Sequence, residues 1–268
     1  MKLCVSNIAW NKDENDAALE ILKSRGITNI DIAPTLVFDS LESLDIKTIR
    51  ERYREYIQKS FEIVGMQSLL YGIPNYSLFD GEFEQKQIIN HLKKVFIIAK
   101  EMHVKELVFG SPKNRFIKLP KQENTKTAIN FFRKICDLAQ AYEAEICLEA
   151  NPKEYGCNFI TNTREAIKFI SEVKRDNLKL NFDTSTVILN QDDFQEILNL
   201  SRGCIGHIHI SAPFLKDIKN LNHEKIAKAL KSIHYEGYVS LEMKSGTTGD
   251  NLKNLEENLD IFVKYYKN

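Results

Sequence analysis

Short apolar runs alternate with longer amphipathic stretches along all 268 residues of the chain. In the first amphipathic stretch, apolar residues at positions 17, 18, 21 and 22 form one helical stripe, and Gly26 ends it. The apolar runs predict strands at 2–9, 27–32, 62–70, 105–109, 145–148, 178–183, 204–210 and 238–242. The amphipathic stretches predict helices at 13–25, 46–60, 83–102, 124–142, 163–174, 191–200, 222–233 and 250–266.

The strict alternation of strands and helices indicates an α/β fold with a parallel sheet. Eight such units favour closure into a (β/α)8 barrel, which typically needs about 250 residues. A doubly wound open sheet is the alternative, but it normally has a glycine-rich turn after its first strand. Residues 6–9, which follow the apolar start of the first strand, contain no glycine. We therefore predict a single (β/α)8 TIM barrel domain spanning residues 1–268.

The composition is that of an ordinary globular protein, with 43% apolar and 28% charged residues. Basic and acidic residues balance at 37 each, so nothing favours nucleic acid or an anionic membrane as a partner. No apolar run approaches the length of a membrane span, and the apolar N-terminal run is too short for a signal peptide. The five cysteines are scattered without a CxxC pair, which predicts reduced thiols in the cytoplasm.

Candidate chemistry begins with the string GHIHIS, which holds His207 and His209 in an apolar run. Alternation along a strand puts both imidazoles on one face, a poor environment for them unless something binds them. Three other predicted strands end on an acid, at Glu149, Asp183 and Glu242. The spacings from 149 to 183, 183 to 209 and 209 to 242 each match one strand–helix unit of roughly 30 residues.

The active sites of such barrels lie at the carboxyl ends of the strands, so Glu149, Asp183, His209 and Glu242 are expected to meet there. Three carboxylates and one imidazole make an oxygen-rich site for one divalent cation, and they suit Mn²⁺, Mg²⁺ or Co²⁺ better than a structural Zn²⁺. Each acid alone could instead cap the next helix or pair with a lysine. His207 is expected beside the ligands, because four ligands already suffice.

Four segments, LEANP (148–152), NFDTST (181–186), HIHIS (207–211) and YVSLEM (238–243), resemble the xylose isomerase-like barrel superfamily. The resemblance is to its sugar and sugar-phosphate isomerases and epimerases, in particular those related to ketose 3-epimerases. It implies that the four strand-end residues hold one divalent metal ion. It also implies that Glu149 and Glu242 are the acid/base pair on opposite faces of a sugar carbon. The implied reaction removes a proton next to a carbonyl through a metal-stabilised enediolate.

Two positions depart from the pattern of that superfamily. Many members have a histidine where this chain has Thr186, and many epimerases have an arginine where it has Leu215. The missing histidine and the neutral net charge argue against the trinuclear-zinc, phosphodiester-cleaving branch. The grip on the substrate must also differ from that of the best-known ketose 3-epimerases.

Several polar groups near the predicted strand ends are candidates for this grip. Arg115, in the loop GSPKNR (110–115), could bind a phosphate or carboxylate in bidentate fashion, or simply lie in a solvated loop. Trp10 either closes the mouth or packs in the core. We predict that the substrate contacts come from Asn7, Trp10, Arg115, Asn151, Tyr155, Asn158, His207 and Lys244.

Three functions remain open on these residues. The first is a metal-dependent isomerase or epimerase acting on a small sugar or sugar phosphate. The second is a dehydratase of a keto-sugar or keto-inositol, a lyase that uses the same metal and base but expels a hydroxyl. The third is a barrel without catalysis that serves as a binding protein, which fits the departures at Thr186 and Leu215. The aromatic tail at 261–266 packs on the barrel or contributes to a homo-oligomer contact.

Overall fold

The computed structural model describes residues 1–73, 75–247 and 249–267, and these residues build a closed barrel of eight parallel strands in chain order. The first and last strands pair in parallel, with Lys2 opposite Tyr238, which closes the sheet. The strands are β1 Lys2–Ser6, β2 Asn29–Ile32, β3 Glu62–Met66, β4 Glu106–Phe109, β5 Glu145–Glu149, β6 Leu178–Asp183, β7 Ile205–Ser211 and β8 Tyr238–Glu242. The predicted (β/α)8 fold is confirmed, and the open-sheet alternative is excluded.

The helices surround the barrel, and each predicted helix has a counterpart. They are α1 Asn15–Ser24, α2 Pro34–Val37, α3 Ile46–Gln58, α4 Glu82–Glu101, α5 Asn124–Gln140, α6 Thr163–Val173, α7 Thr184–Leu189, α8 Phe194–Ser201, α9 His223–Ser232 and α10 Asn251–Tyr266. The short helices α2 and α7 were not predicted, because one or two turns are too short to show an apolar stripe. Helix α7 starts directly at the end of β6, because the Asp183 side chain accepts the Thr186 N–H as an N-cap.

Two strands end earlier than the sequence predicts. Strand β1 stops at Ser6, whose side chain caps a one-turn 3₁₀ helix over Asn7–Ala9. Strand β3 stops at Met66, and Ser68 two residues later adopts a φ of 53°. The chain therefore turns at Gln67, whose side chain lines the mouth of the barrel rather than continuing a strand.

Phenylalanine rings join β4 to α5 and α6 outside the barrel. The ring of Phe132 lies 5.1 Å from that of Phe109, 5.8 Å from that of Phe131 and 5.2 Å from that of Phe169, measured between centroids. All three contacts are edge-on, the geometry that aromatic quadrupoles favour. This cluster fixes the helices behind the strands that carry the rim residues.

All five cysteines are free. In the part of the chain that the structure describes, no helix combines the length and the hydropathy needed to cross a bilayer.

Replacing Phe132, which is fully buried, with alanine is expected to lower the free energy of unfolding by about 3–5 kcal/mol, because the lost ring leaves a cavity. Chemical denaturation measures the change. Phe83→Ala is the control, since that ring is 62% exposed, and it is expected to cost less than about 1 kcal/mol. Equal losses in the two variants would contradict the role of the cluster.

Candidate functional site

The four strand-end residues converge at the carboxyl rim of the barrel. Glu149 ends β5, Asp183 ends β6 and Glu242 ends β8, while His209 lies in β7 in register with Asp183. One ligand atom from each of Glu149, Asp183 and His209 lies within 4.8 Å of the others. The Oε2 atom of Glu242 lies 3.2 Å from His209 Nδ1, and that of Glu149 lies 3.6 Å from the same nitrogen. The structure thus brings together the four predicted ligands from distant parts of the chain.

Asp183 is buried and held by three hydrogen-bond donors. Its Oδ1 accepts the Ser185 hydroxyl at 2.5 Å and the Thr186 N–H at 2.7 Å, and its Oδ2 accepts the Ser211 hydroxyl. Burial, and next the negative charge of Glu149, raise the pKa of Asp183. Two carboxylates are therefore forced close together where water is scarce.

Neutral amides orient the two glutamates. Glu149 Oε1 accepts the Asn151 amide at 2.7 Å, and its Oε2 accepts the Asn181 amide at 2.7 Å. Glu242 Oε1 accepts the Gln67 amide at 2.8 Å. A Cβ at Gly110, just after β4, would lie only 2.8 Å from Glu149 Oε1, so the absence of a side chain there makes room for this carboxylate.

His209 is fully buried, and its Nδ1 faces both glutamates. Burial alone would lower its pKa, but Glu242 and Glu149 outweigh burial and raise the pKa of His209 well above its usual range. Its Nε2 forms no hydrogen bond to any described group. Asp31 Oδ2 lies 3.9 Å from this nitrogen.

The donor chemistry of this cluster fits a divalent cation. Oxygens of Glu149 and Asp183 and a nitrogen of His209 lie close enough to share one ion, and Glu242 approaches the same imidazole. Hard divalent metals prefer such oxygen-rich ligand sets. Among the described residues no lysine or arginine forms an ion pair with Glu149, Asp183 or Glu242. In this part of the chain, the groups that contact the three carboxylates are neutral donors and His209, so a bound cation would neutralise their charge.

A second polar group fills the barrel below the rim, where branched apolar side chains are usual. The two ring nitrogens of His207 contact Asp31 Oδ2 at 2.8 Å and Glu106 Oε2 at 2.5 Å. Burial opposes the charged imidazole, but Asp31 and then Glu106 outweigh it and raise the pKa of His207 to about 9. Burial likewise opposes ionisation of the carboxyl, yet the charge and hydrogen bond of His207 lower the pKa of Asp31 to about 2.

This placement corrects the prediction that His207 contacts the substrate. The ring is fully buried and both of its nitrogens are already paired, so it cannot reach a molecule in the mouth. The two histidines do share one face, as strand alternation predicts, and their ring centroids lie 5.1 Å apart. His207 supports the barrel beneath the rim site.

A cavity of about 860 Å³ opens above the cluster. Its volume is within the range of roughly 300–1,000 Å³ that is usual for ligand sites. Three predicted substrate contacts, Asn151, Tyr155 and Lys244, line it, as does Leu215. The Tyr155 hydroxyl contacts Ser185 Oγ at 3.2 Å and accepts the Phe214 N–H at 2.9 Å.

Three other predicted substrate contacts lie away from this cavity, and the structure corrects them. Asn7 is buried and its Oδ1 accepts the Ala33 N–H at 2.8 Å. Trp10 is buried in the core, where its Nε1 donates to a neighbouring asparagine. Asn158 is exposed and exchanges two 2.8 Å hydrogen bonds with the backbone of Ile117, which ties the loop after β5 to the loop after β4.

Arg115 is the fifth correction to the predicted substrate contacts. It is 0% exposed, so its guanidinium group cannot grip a phosphate or carboxylate in the mouth. Its Nη2 instead donates to Asn151 Oδ1 at 2.8 Å.

The sequence missed several supporting residues. Asn181 and Ser211 lie two positions from Asp183 and His209 on the same strands, so the period of two along a strand could have revealed them. Gln67 carried no such signal, because the strand was predicted to run through it. The hydroxyl of Thr186 donates to the Ala150 carbonyl at 2.8 Å.

Comparison with known proteins finds one matching family model and several similar curated proteins. The family model described as "xylose isomerase-like TIM barrel" matches residues 19–265. The D-psicose 3-epimerase of Ruminiclostridium cellulolyticum is 26% identical over 142 residues, which make up 50% of this chain and 47% of that protein. The chain therefore matches about half the length of the curated relatives.

Two solved structures share the fold. An L-ribulose 3-epimerase superposes with a TM-score of 0.83 at 14% identity, over 99% of this chain and 94% of that one. The IOLI protein, solved with a bound zinc atom, superposes with a TM-score of 0.74 at 20% identity, over 100% of both chains. At these identities the likeness establishes the fold.

The paired His207 predicts a pH-dependent stability of chelator-treated protein. The folded pKa of about 9 exceeds the unfolded value of about 6.5, so the stabilisation is complete below pH 6.5 and is lost as the pH rises through 9. The loss is on the order of 3 kcal/mol, measured by denaturation at each pH.

His207→Gln is expected to abolish this fall in stability, because glutamine does not titrate. Nitrogen NMR of the wild-type ring is a second measurement, and both nitrogens of His207 should be protonated at pH 7. A neutral ring at pH 7 would contradict the ion pair with Asp31.

Proposed function

The chain belongs to the xylose isomerase-like TIM barrel family, and from its rim site we propose that it is a metal-dependent isomerase that epimerises or isomerises a small sugar or sugar phosphate. One observation carries this proposal. Glu149 and Glu242, from strands on different sides of the barrel, approach the same imidazole in a cavity that can admit a sugar. The D-psicose and L-ribulose 3-epimerases among the similar proteins support this reaction class.

In this proposal Glu149, Asp183, His209 and Glu242 hold one divalent cation, which is Mn²⁺, Mg²⁺, Co²⁺ or Zn²⁺. The zinc atom of the IOLI structure supports a metal-binding role for this fold. When bound, the cation would polarise the substrate carbonyl and neutralise the charge that develops there.

The two glutamates move the proton. One carboxylate takes the proton from the carbon next to the carbonyl, and the other returns a proton to the opposite face or to the neighbouring carbon. Return to the opposite face is epimerisation, and return to the neighbouring carbon is isomerisation. The amides of Asn151, Asn181 and Gln67 donate to the carboxylate oxygens of these glutamates and hold them in place.

Substrate contacts in this proposal come from the groups that line the cavity. Asn151, Tyr155 and Lys244 supply polar contacts, and Leu215 supplies an apolar wall where many epimerases have arginine. The substrate is held from above by the loops after β5, β7 and β8. In the same proposal, the whole chain is one domain built around this cavity.

Replacing Glu149 or Glu242 with glutamine is expected to lower proton exchange between solvent and a ketose by about 10²–10⁴-fold, because an amide cannot accept the proton. The measurement is deuterium uptake from D₂O into D-psicose, L-ribulose and related ketoses. Glu154→Gln is the control, since Glu154 is exposed in the loop after β5 and should exchange at the wild-type rate.

Unchanged exchange in Glu149→Gln would remove that residue from the chemistry. Product mass separates the two enzymatic alternatives, because epimerisation preserves the mass and a dehydratase releases water. If no ketose in the panel exchanges a proton and the metal is weakly held, the alternative of a non-catalytic binding protein would be favoured.

Metal removal gives a separate test. Added Mn²⁺ should stabilise chelator-treated wild-type protein by about 2.7 kcal/mol at a concentration 100 times the dissociation constant, because only the folded chain presents the site. Asp183→Asn should lose most of this gain while it keeps the N-cap of α7. The melting temperature and the metal content per chain are the readouts, and an equal gain in both proteins would contradict the proposed ligand set.

A further inference from the structure

Among the described residues, Arg115 is a buried cation without a carboxylate partner. It is 0% exposed, and the hydrogen bond that its guanidinium group makes within this part of the chain goes to Asn151 Oδ1 at 2.8 Å. Its Nε and Nη1 atoms reach no acceptor among the described residues. Burying an uncompensated charge costs several kcal/mol, so this arginine is not expected to stabilise the fold by itself.

Asn151 connects this cation to the rim site. Its side-chain nitrogen donates to Glu149 Oε1 at 2.7 Å, and the residue is itself buried. A side-chain amide has one accepting end and one donating end. Because Arg115 can only donate, it requires the oxygen of Asn151, and the nitrogen must then face Glu149.

Without Arg115 the Oδ1 atom of Asn151 would lose the donor that holds it, and the amide would be fixed only from its nitrogen end. The amide could then rotate away from the carboxylate, which would leave Glu149 Oε1 without this donor. The carboxylate is tightly enclosed, with the Asn181 amide on Oε2 and Gly110 beside Oε1, so a change in Asn151 acts directly on its position.

We propose that Arg115 is a positioning residue that fixes the Asn151 amide and, through it, the Glu149 carboxylate for metal binding and proton transfer. The proposal rests on the proposed role of Glu149 as a metal ligand. The buried guanidinium group also lies one amide away from Glu149, where it offsets part of the negative charge of the site.

The test compares Mn²⁺ affinity, measured by titration calorimetry on chelator-treated protein without sugar. Arg115→Met is expected to weaken Mn²⁺ binding about 10–100-fold, the usual effect of losing a group that orients a metal ligand. Arg115→Lys, which keeps a donor and the charge, should recover most of the affinity.

Asn151→Leu removes the same link from its other end, and it should weaken Mn²⁺ binding to a similar degree. Since Arg115 acts through Asn151, the double variant should bind Mn²⁺ no worse than the weaker single variant. Additive losses would overturn the proposal, and so would wild-type affinity in folded Arg115→Met. If Arg115→Met does not fold, wild-type affinity in Asn151→Leu overturns it instead.

Asn158→Ala is the matched control, because Asn158 ties the same two loops together through Ile117 but does not touch a rim carboxylate. It should lower the melting temperature and leave Mn²⁺ affinity unchanged. An equal loss of affinity in Asn158→Ala would assign the effect to loop looseness and overturn the proposal. Wild-type protein that binds Mn²⁺ but converts no sugar would contradict the proposed function. The comparison of Mn²⁺ affinities among the variants would still test the role of Arg115.

Discussion

Negative charge gathered in a place with little water is the constraint on which the site depends. Glu149, Asp183 and Glu242 surround one buried imidazole, and no described lysine or arginine pairs with them. Burial, and next the charge of Glu149, raise the pKa of Asp183. Neutral donors hold these carboxylates, namely three side-chain amides, two hydroxyls and one backbone N–H, and none of them carries a countercharge. The negative charge thus stays available for a cation.

The barrel makes this crowding possible because its closure fixes where each strand ends. Parallel pairing sets Glu149 opposite Asn181, Asp183 opposite His209 and Ser211 opposite Glu242, so the rim residues and the side chains that hold them lie side by side. Below the rim, the paired Asp31, His207 and Glu106 fill the interior with a polar layer that carries its own countercharge.

The sequence predicts the eight-strand barrel and the convergence of the four rim residues, because both follow from repeat spacing and strand ends. It predicts the substrate contacts less well, since a polar residue in a loop can face either the mouth or the protein. Arg115 and Asn158 follow different strands in similar polar loops, yet one is fully buried and the other exposed. Only tertiary packing decides between these outcomes. The sequence did not predict the role of Gln67, because β3 ends at Met66, before the predicted strand end. Ser68, with its positive φ, follows directly after Gln67.

Asp183 serves both as a rim carboxylate and as the N-cap of α7, so its position is dictated by backbone as well as by chemistry. The loop after β7 has no such double role. Phe214 and Leu215 line the cavity, and among the described contacts neither holds a rim carboxylate. Substitutions at Phe214 and Leu215 can therefore reshape the cavity, and with it the choice of molecule admitted, while the rim carboxylates keep their positions.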